Sequence, residues 1–189
     1  STPLQLAAGY AILANGGYRV EPHLIKRIED AQGNVLFEAN APRACRGCWV
    51  KPRKGEAEVM ADGESSVPQA EQVLDPRIAY NMVSMMEDVI KRGTATRAKK
   101  VKRSDIAGKT GTTNDSRDSW FAGFTPDLVT VAWMGMDDNR PLGRGEWGGT
   151  AALGMWVDYM ADALDGVPIA EIQRPDGMVA VRVSKSTGK

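Results

Sequence analysis

The chain has 189 residues, 42% hydrophobic and 25% charged, a composition that can close one hydrophobic core and excludes global disorder. Its 24 basic and 24 acidic residues cancel, so no net field draws it to nucleic acid or to anionic lipid. No run approaches the roughly 20 apolar residues that cross a bilayer.

No secretory leader is visible. The chain opens on Ser1 and a helix cap, and the pattern over 181–189 stops short, so it is expected to be one piece of a longer protein. Thr2-Pro3-Leu4-Gln5 carries a capping residue, a proline for the first helical position and a glutamine able to close a capping box. With Leu6, Tyr10 and Leu13 at helical spacing and Asn15-Gly16-Gly17 as the stop, this predicts a helix over 3–15. Residues 18–37 read as a hairpin, with Val20, Leu24, Ile25 and Ile28 in one strand and Val35, Leu36 and Phe37 in the other. Asp30-Ala31-Gln32-Gly33-Asn34 makes the turn.

Periodicity is lost over 38–73, which predicts a long exposed loop. The two cysteines, Cys45 and Cys48, lie inside it. A metal site would need about four ligands, and the rest of the chain adds one histidine and carboxylates. A thioredoxin-like pair should open a helix in a βαβ setting, whereas Pro42, Arg43 and Pro52 speak for loop. A local disulfide and two unpaired thiols both stay open.

Asp75-Pro76 caps a second long helix, with Ile78, Met82, Met85, Met86, Val89 and Ile90 as its expected buried face and Gly93 as its stop. Arg97, Lys99, Lys100, Lys102 and Arg103 follow as a solvated charged face. Three strand-like runs come next, 105–113, 119–125 and 128–136, joined by connections short enough for antiparallel hairpins. A glycine-rich loop leads to a last helix over 150–164, striped by Leu153, Trp156, Met160 and Leu164. The order predicts an α+β pattern, an antiparallel sheet packed with helices.

The one histidine, His23, has no nucleophile or acid pattern beside it, which argues against a Ser-His-Asp site within the chain. Lys109-Thr110 is not part of a phosphate-binding loop. That motif would place its first glycine at position 103, which is Arg103, and would open a helix at the lysine. Gly111, Thr112 and Thr113 instead continue a strand. Its alternation sets Thr110 and Thr112 on one face, where two hydroxyls can bind a carboxylate. Gly111 permits close approach, and Lys109 supplies positive charge and assists proton transfer. An edge strand can also pair with an extended peptide and offer an N–H to an oxyanion.

Lys-Thr-Gly on a strand is an element of serine acyl-transfer enzymes that act on D-Ala-D-Ala peptides and β-lactams. Here Gly108-Lys109-Thr110-Gly111-Thr112-Thr113-Asn114-Asp115 and Asp118-Ser119-Trp120-Phe121-Ala122-Gly123-Phe124-Thr125-Pro126 resemble the matching region of class A penicillin-binding proteins, the bifunctional peptidoglycan synthases. Ser1-Thr2-Pro3-Leu4-Gln5-Leu6-Ala7, Ala14-Asn15-Gly16-Gly17, Gly93-Thr94-Ala95, Trp133-Met134-Gly135-Met136-Asp137-Asp138 and Gly148-Gly149-Thr150-Ala151-Ala152 extend the resemblance over nearly the whole chain outside about 40–73.

The resemblance implies that 1–189 is the C-terminal portion of one transpeptidase domain, with part of a penicillin-binding-protein or serine β-lactamase-like fold. It places Lys109 in the hydrogen-bond network around the nucleophile and makes 109–113 the substrate strand. Thr110 and Thr112 would hold the substrate carboxylate, and the Thr112 N–H would be an oxyanion donor; Gly111 and Thr113 complete the strand. Stem peptides of peptidoglycan and β-lactams are the implied partners, on the extracytoplasmic face of the inner membrane, with neither metal nor cofactor. The nucleophilic serine, the glycosyltransferase domain and the membrane anchor are expected outside these residues. The one Ser-x-x-Lys, Ser186-Thr187-Gly188-Lys189, follows the strand where the family places it before. Alone, the chain is expected to be inactive. A non-catalytic wall-binding module and a serine β-lactamase are the competing expectations.

Overall fold

The computed structural model describes residues 1–52, 68–184 and 186–188. Helix α1 (Pro3–Ala14) starts with the predicted capping box: Gln5 N donates to Thr2 Oγ1 at 3.2 Å, and Thr2 N donates to Gln5 Oε1 at 2.9 Å. It ends where Asn15 bonds both backbone groups of Tyr18 at 2.9 Å.

The hairpin is shorter than predicted. Strands β1 (Arg27–Glu29) and β2 (Val35–Glu38) pair antiparallel with a bulge between Ile28 and Glu29. Asp30 Oδ1 organises the turn by accepting from Gln32 N and Asn34 N at 2.9 and 2.8 Å. Residues 19–26 form no ladder, because Pro22 lacks a donor and Leu24, 97% exposed, has no core to face.

The stretch expected to be an exposed loop is anchored at both described ends, while 53–67 lie outside the described residues. Cys45 and Cys48 form a disulfide across one helical turn, α2 (Arg46–Trp49). The pair therefore does open a helix, against the sequence expectation, though with no βαβ unit around it among the described residues. Trp49 and Val50 are buried, and Trp49 Nε1 donates to Ala14 O at 2.8 Å. An indole is large enough to hold a segment that shows no periodicity of its own.

Helix α3 (Pro76–Lys91) is capped by Asp75, which accepts from Arg77 N at 2.8 Å. Its buried stripe is Ala79, Val83, Met86 and Ile90; Ile78, Met82 and Met85 are exposed, a correction to the predicted face. The small Ala79 and Val83 let the backbone come close to the sheet, which the bulkier methionines would prevent. Arg103 departs from its prediction too. After a 3-10 helix over Thr96–Val101, its guanidinium makes a buried two-pronged pair with Asp105 at 2.8 and 2.7 Å, their side chains 8% and 3% exposed.

Strands β3 (Ala107–Thr112), β4 (Asp118–Phe124) and β5 (Val129–Gly135) form an antiparallel meander in that order, as predicted. Helix α4 (Ala151–Ala163) covers one face, where Trp156, Met160 and Leu153 pack with Phe121 and Ile106. Helices α1 and α3 cover the other, where Ala14, Ala79 and Val83 pack with Ala107 and Phe124. β4 is thus apolar on both faces and divides two cores, the α+β arrangement expected from the element order.

Candidate active site

Along β3 burial falls away: Ala107 and Gly108 are buried, while Lys109 and Thr112 are exposed. Only one side of the strand is paired. β4 lies against it, and no strand bonds its other edge among the described residues. Register places Thr110 opposite Phe121 and Thr112 opposite Ser119, on the α4 face. Lys109 and Gly111 stand opposite Ala122 and Trp120 on the other face. The shared face expected of the two threonines is therefore present.

Thr113 N donates to Asp118 O at 3.2 Å, across the hairpin. In an antiparallel ladder such pairs alternate with pairs whose amides point outward, so the N–H groups of Thr112 and Thr110 face the open edge. Lys109 curls back along that edge. Its Nζ donates to Thr110 O at 2.9 Å and reaches Thr110 Oγ1 at 3.4 Å. Thr113 is used differently: its hydroxyl accepts from Asp118 N at 2.8 Å and belongs to the β3–β4 turn.

Two contacts at this edge come from outside the motif. Thr94, just past the end of α3, places Oγ1 2.9 Å from Thr110 Oγ1. Gly148 N, in the loop before α4, donates to Thr112 Oγ1 at 3.0 Å. A side chain at Gly148 would strike the carbonyl oxygens of Gly111 and Trp120, so only glycine lets that loop lie on the strand. His23 stays exposed in a loop, with its ring near Glu21 O.

Two hydroxyls, an ammonium and outward amides along a sheet edge are the groups that suit a carboxylate beside an acyl carbon. Residues 1–152 match the family model of the penicillin binding protein transpeptidase domain. The chain belongs to the penicillin-binding protein transpeptidase family.

Penicillin-binding protein 1A of Pseudomonas aeruginosa is 43% identical over 211 residues, a match that covers 100% of this chain and 26% of that protein. The Neisseria lactamica protein of the same name is 42% identical, with 95% of this chain and 20% of its own length covered. Among solved structures, penicillin-binding protein 1A from Haemophilus influenzae superposes with a TM-score of 0.87 at 38% identity, over 100% of this chain and 30% of that one. The penicillin-binding protein PonA1 from Mycobacterium tuberculosis gives 0.64 at 26% identity, over 95% of this chain and 45% of that one. The chain thus spans 26% and 20% of the two curated relatives, so it matches part of a class A transpeptidase domain.

The sequence singled out Lys109 to Thr113 as candidates but gave no sign of the groups that touch Thr110 and Thr112 from outside the strand. Gly93-Thr94-Ala95 read as a helix exit and Gly148-Gly149-Thr150 as a helix approach. Nothing local in either says that it returns to β3.

Proposed function

We propose that the protein carrying this chain is a serine D,D-transpeptidase that cross-links peptidoglycan and is acylated by penicillins. The observation that supports this reading is the placing of Thr110 and Thr112 on one face of β3, a strand with one edge unpaired among the described residues, with Lys109 Nζ reaching Thr110 Oγ1. In the proposed reaction a serine Oγ attacks the penultimate D-Ala carbonyl, its proton passes to the nitrogen of terminal D-Ala, and the C–N bond breaks to release that amine. An amine of a neighbouring stem peptide then attacks the ester, the C–O bond to serine breaks, and the amine gives one of its protons to the serine Oγ as the new amide forms.

Within this scheme Thr110 and Thr112 hold the terminal carboxylate of the donor peptide or of a β-lactam. Lys109 supplies charge to that anion and to the proton network around the serine. The outward N–H of Thr112 donates to the oxyanion; Gly111 lets the acyl group approach, and Thr113 fixes the end of the strand. The nucleophile comes from the part of the protein outside these residues, as do a glycosyltransferase domain and a membrane anchor. The reaction takes place on the extracytoplasmic face of the inner membrane.

A fluorescent penicillin incubated with the whole protein should give a stoichiometric covalent adduct by mass spectrometry, while the 189-residue chain stays unlabelled. An adduct on the isolated chain would overturn the assignment of the serine to the remainder. Absence of label on the whole protein would favour a wall-binding module, and rapid loss of the adduct with hydrolysed drug would favour a β-lactamase.

A further inference from the structure

Thr94 is set on a rigid mount. A side chain at Gly93 would meet the Val89 backbone at 2.8 Å, and Ala95 is fully buried in the core beneath α4. Gly93 N and Ala95 N both donate to Val89 O at 3.1 Å, which fixes the chain on either side of Thr94. Its hydroxyl is thereby held against Thr110 rather than swept through solvent.

A hydroxyl offers one proton and two acceptor sites. At Thr112 one acceptor site is filled by Gly148 N–H, and no described neighbour takes its proton. At Thr110, Lys109 Nζ approaches Oγ1 at 3.4 Å as a donor with no acceptor capacity. A second donor there would fill the remaining acceptor site and leave Thr110 able only to donate. We propose that Thr94 is that donor: a positioning residue that turns Thr110 into an obligate donor toward the carboxylate of the acyl donor. Each threonine then accepts from an element outside β3, Thr112 from a backbone amide and Thr110 from a side chain. An anion is recognised by donors alone, so a threonine free to rotate its proton inward would lose part of its value.

This inference rests on the transpeptidase reading, and its test separates the two. Thr94→Val keeps the shape and removes the hydroxyl; Thr94→Ser keeps the hydroxyl. In the whole protein, acylation is followed with a fluorescent penicillin and with its carboxyl methyl ester, resolving the binding constant from the acylation rate constant. Thr94→Val should weaken binding of the free acid about tenfold, in line with loss of one oriented hydrogen bond to a charged group. The acylation rate constant and the reaction with the ester should change little, and Thr94→Ser should restore the free acid. Equal loss on acid and ester would mean a merely structural role, and no loss on either would mean no role; each result overturns the inference while leaving the transpeptidase reading intact. A wild-type protein that takes no label from the free acid would remove that reading and this one with it.

Discussion

Arg103 and Asp105 are two residues apart yet bind a distant piece of chain. Besides their mutual pair, Arg103 donates to Val167 O at 2.5 Å and to Pro168 O at 3.1 Å, and Asp105 Oδ2 accepts from Ala170 N at 2.8 Å. Four hydrogen bonds from the guanidinium and one to the carboxylate from Ala170 N offset the cost of taking the two charges out of water. Arg103→Met should therefore destabilise the chain by about 3–5 kcal/mol, since it strands a buried carboxylate. Urea unfolding would measure this, and a loss below about 1 kcal/mol would place the pair among ordinary surface bridges. Asp75 makes the contrasting case at the surface. Its carboxyl is held down from 3.8 to about 2, first by the Arg77 side-chain hydrogen bond and then by the Arg77 amide. A carboxylate lowered in this way adds stability above its unfolded pKa, and that contribution fades as pH falls from about 4 toward 2. Asp75→Asn keeps an acceptor at the helix cap but gains no proton. Its urea midpoint should vary less than that of wild type across this window.

α3 shows how residue type and burial part company within an element. Met85 and Met86 are neighbours in sequence, 56% and 7% exposed. Helical geometry rotates successive side chains by about 100°, so adjacent methionines cannot share a narrow stripe. Met86→Gln should cost about 1–3 kcal/mol by burying an amide without a partner. Met85→Gln should fall within about 0.5 kcal/mol of wild type. Equal costs in chemical denaturation would show that the stripe has been assigned to the wrong face. The 3.6-residue period was legible in 78–90, but the choice between its two apolar sectors was not. Ala79 and Val83 won because the contact with β3 favours small residues, and a count of hydrophobic side chains favours large ones.

At the scale of the molecule, the disulfide segment ties the ends together. Trp49 reaches Ala14 at the end of α1 and meets the Tyr80 ring edge-on at 6.4 Å. Lys51 N donates to Glu171 O at 2.9 Å and Gln173 N to Trp49 O at 2.8 Å, so the tail after α4 is held by the same few residues. Closing a ring from Cys45 to Cys48 restricts the unfolded chain over a short span, worth about 2 kcal/mol on the loop-entropy estimate. A thiol reductant should lower the melting temperature of the chain by the corresponding amount, and Cys45→Ser with Cys48→Ser should reproduce the loss and abolish the response. An unchanged melting temperature would mean that Trp49 holds the segment without the bridge.

The capping box of α1, the Asp30 turn, the three strands of the meander and the alternation of Thr110 with Thr112 were all determined by the sequence alone. Each depends on bonds between near neighbours or on the period of two along a strand, and both are written locally. The tertiary structure decided which sector of α3 is buried, why Arg103 leaves the solvent and what holds Trp49. It also decided that Thr94 meets Thr110 across 16 positions and that Gly148 meets Thr112 across 36. Such contacts are set by how helices and loops close over a sheet. A hydroxyl or a glycine carries no local mark of the partner that packing will bring to it.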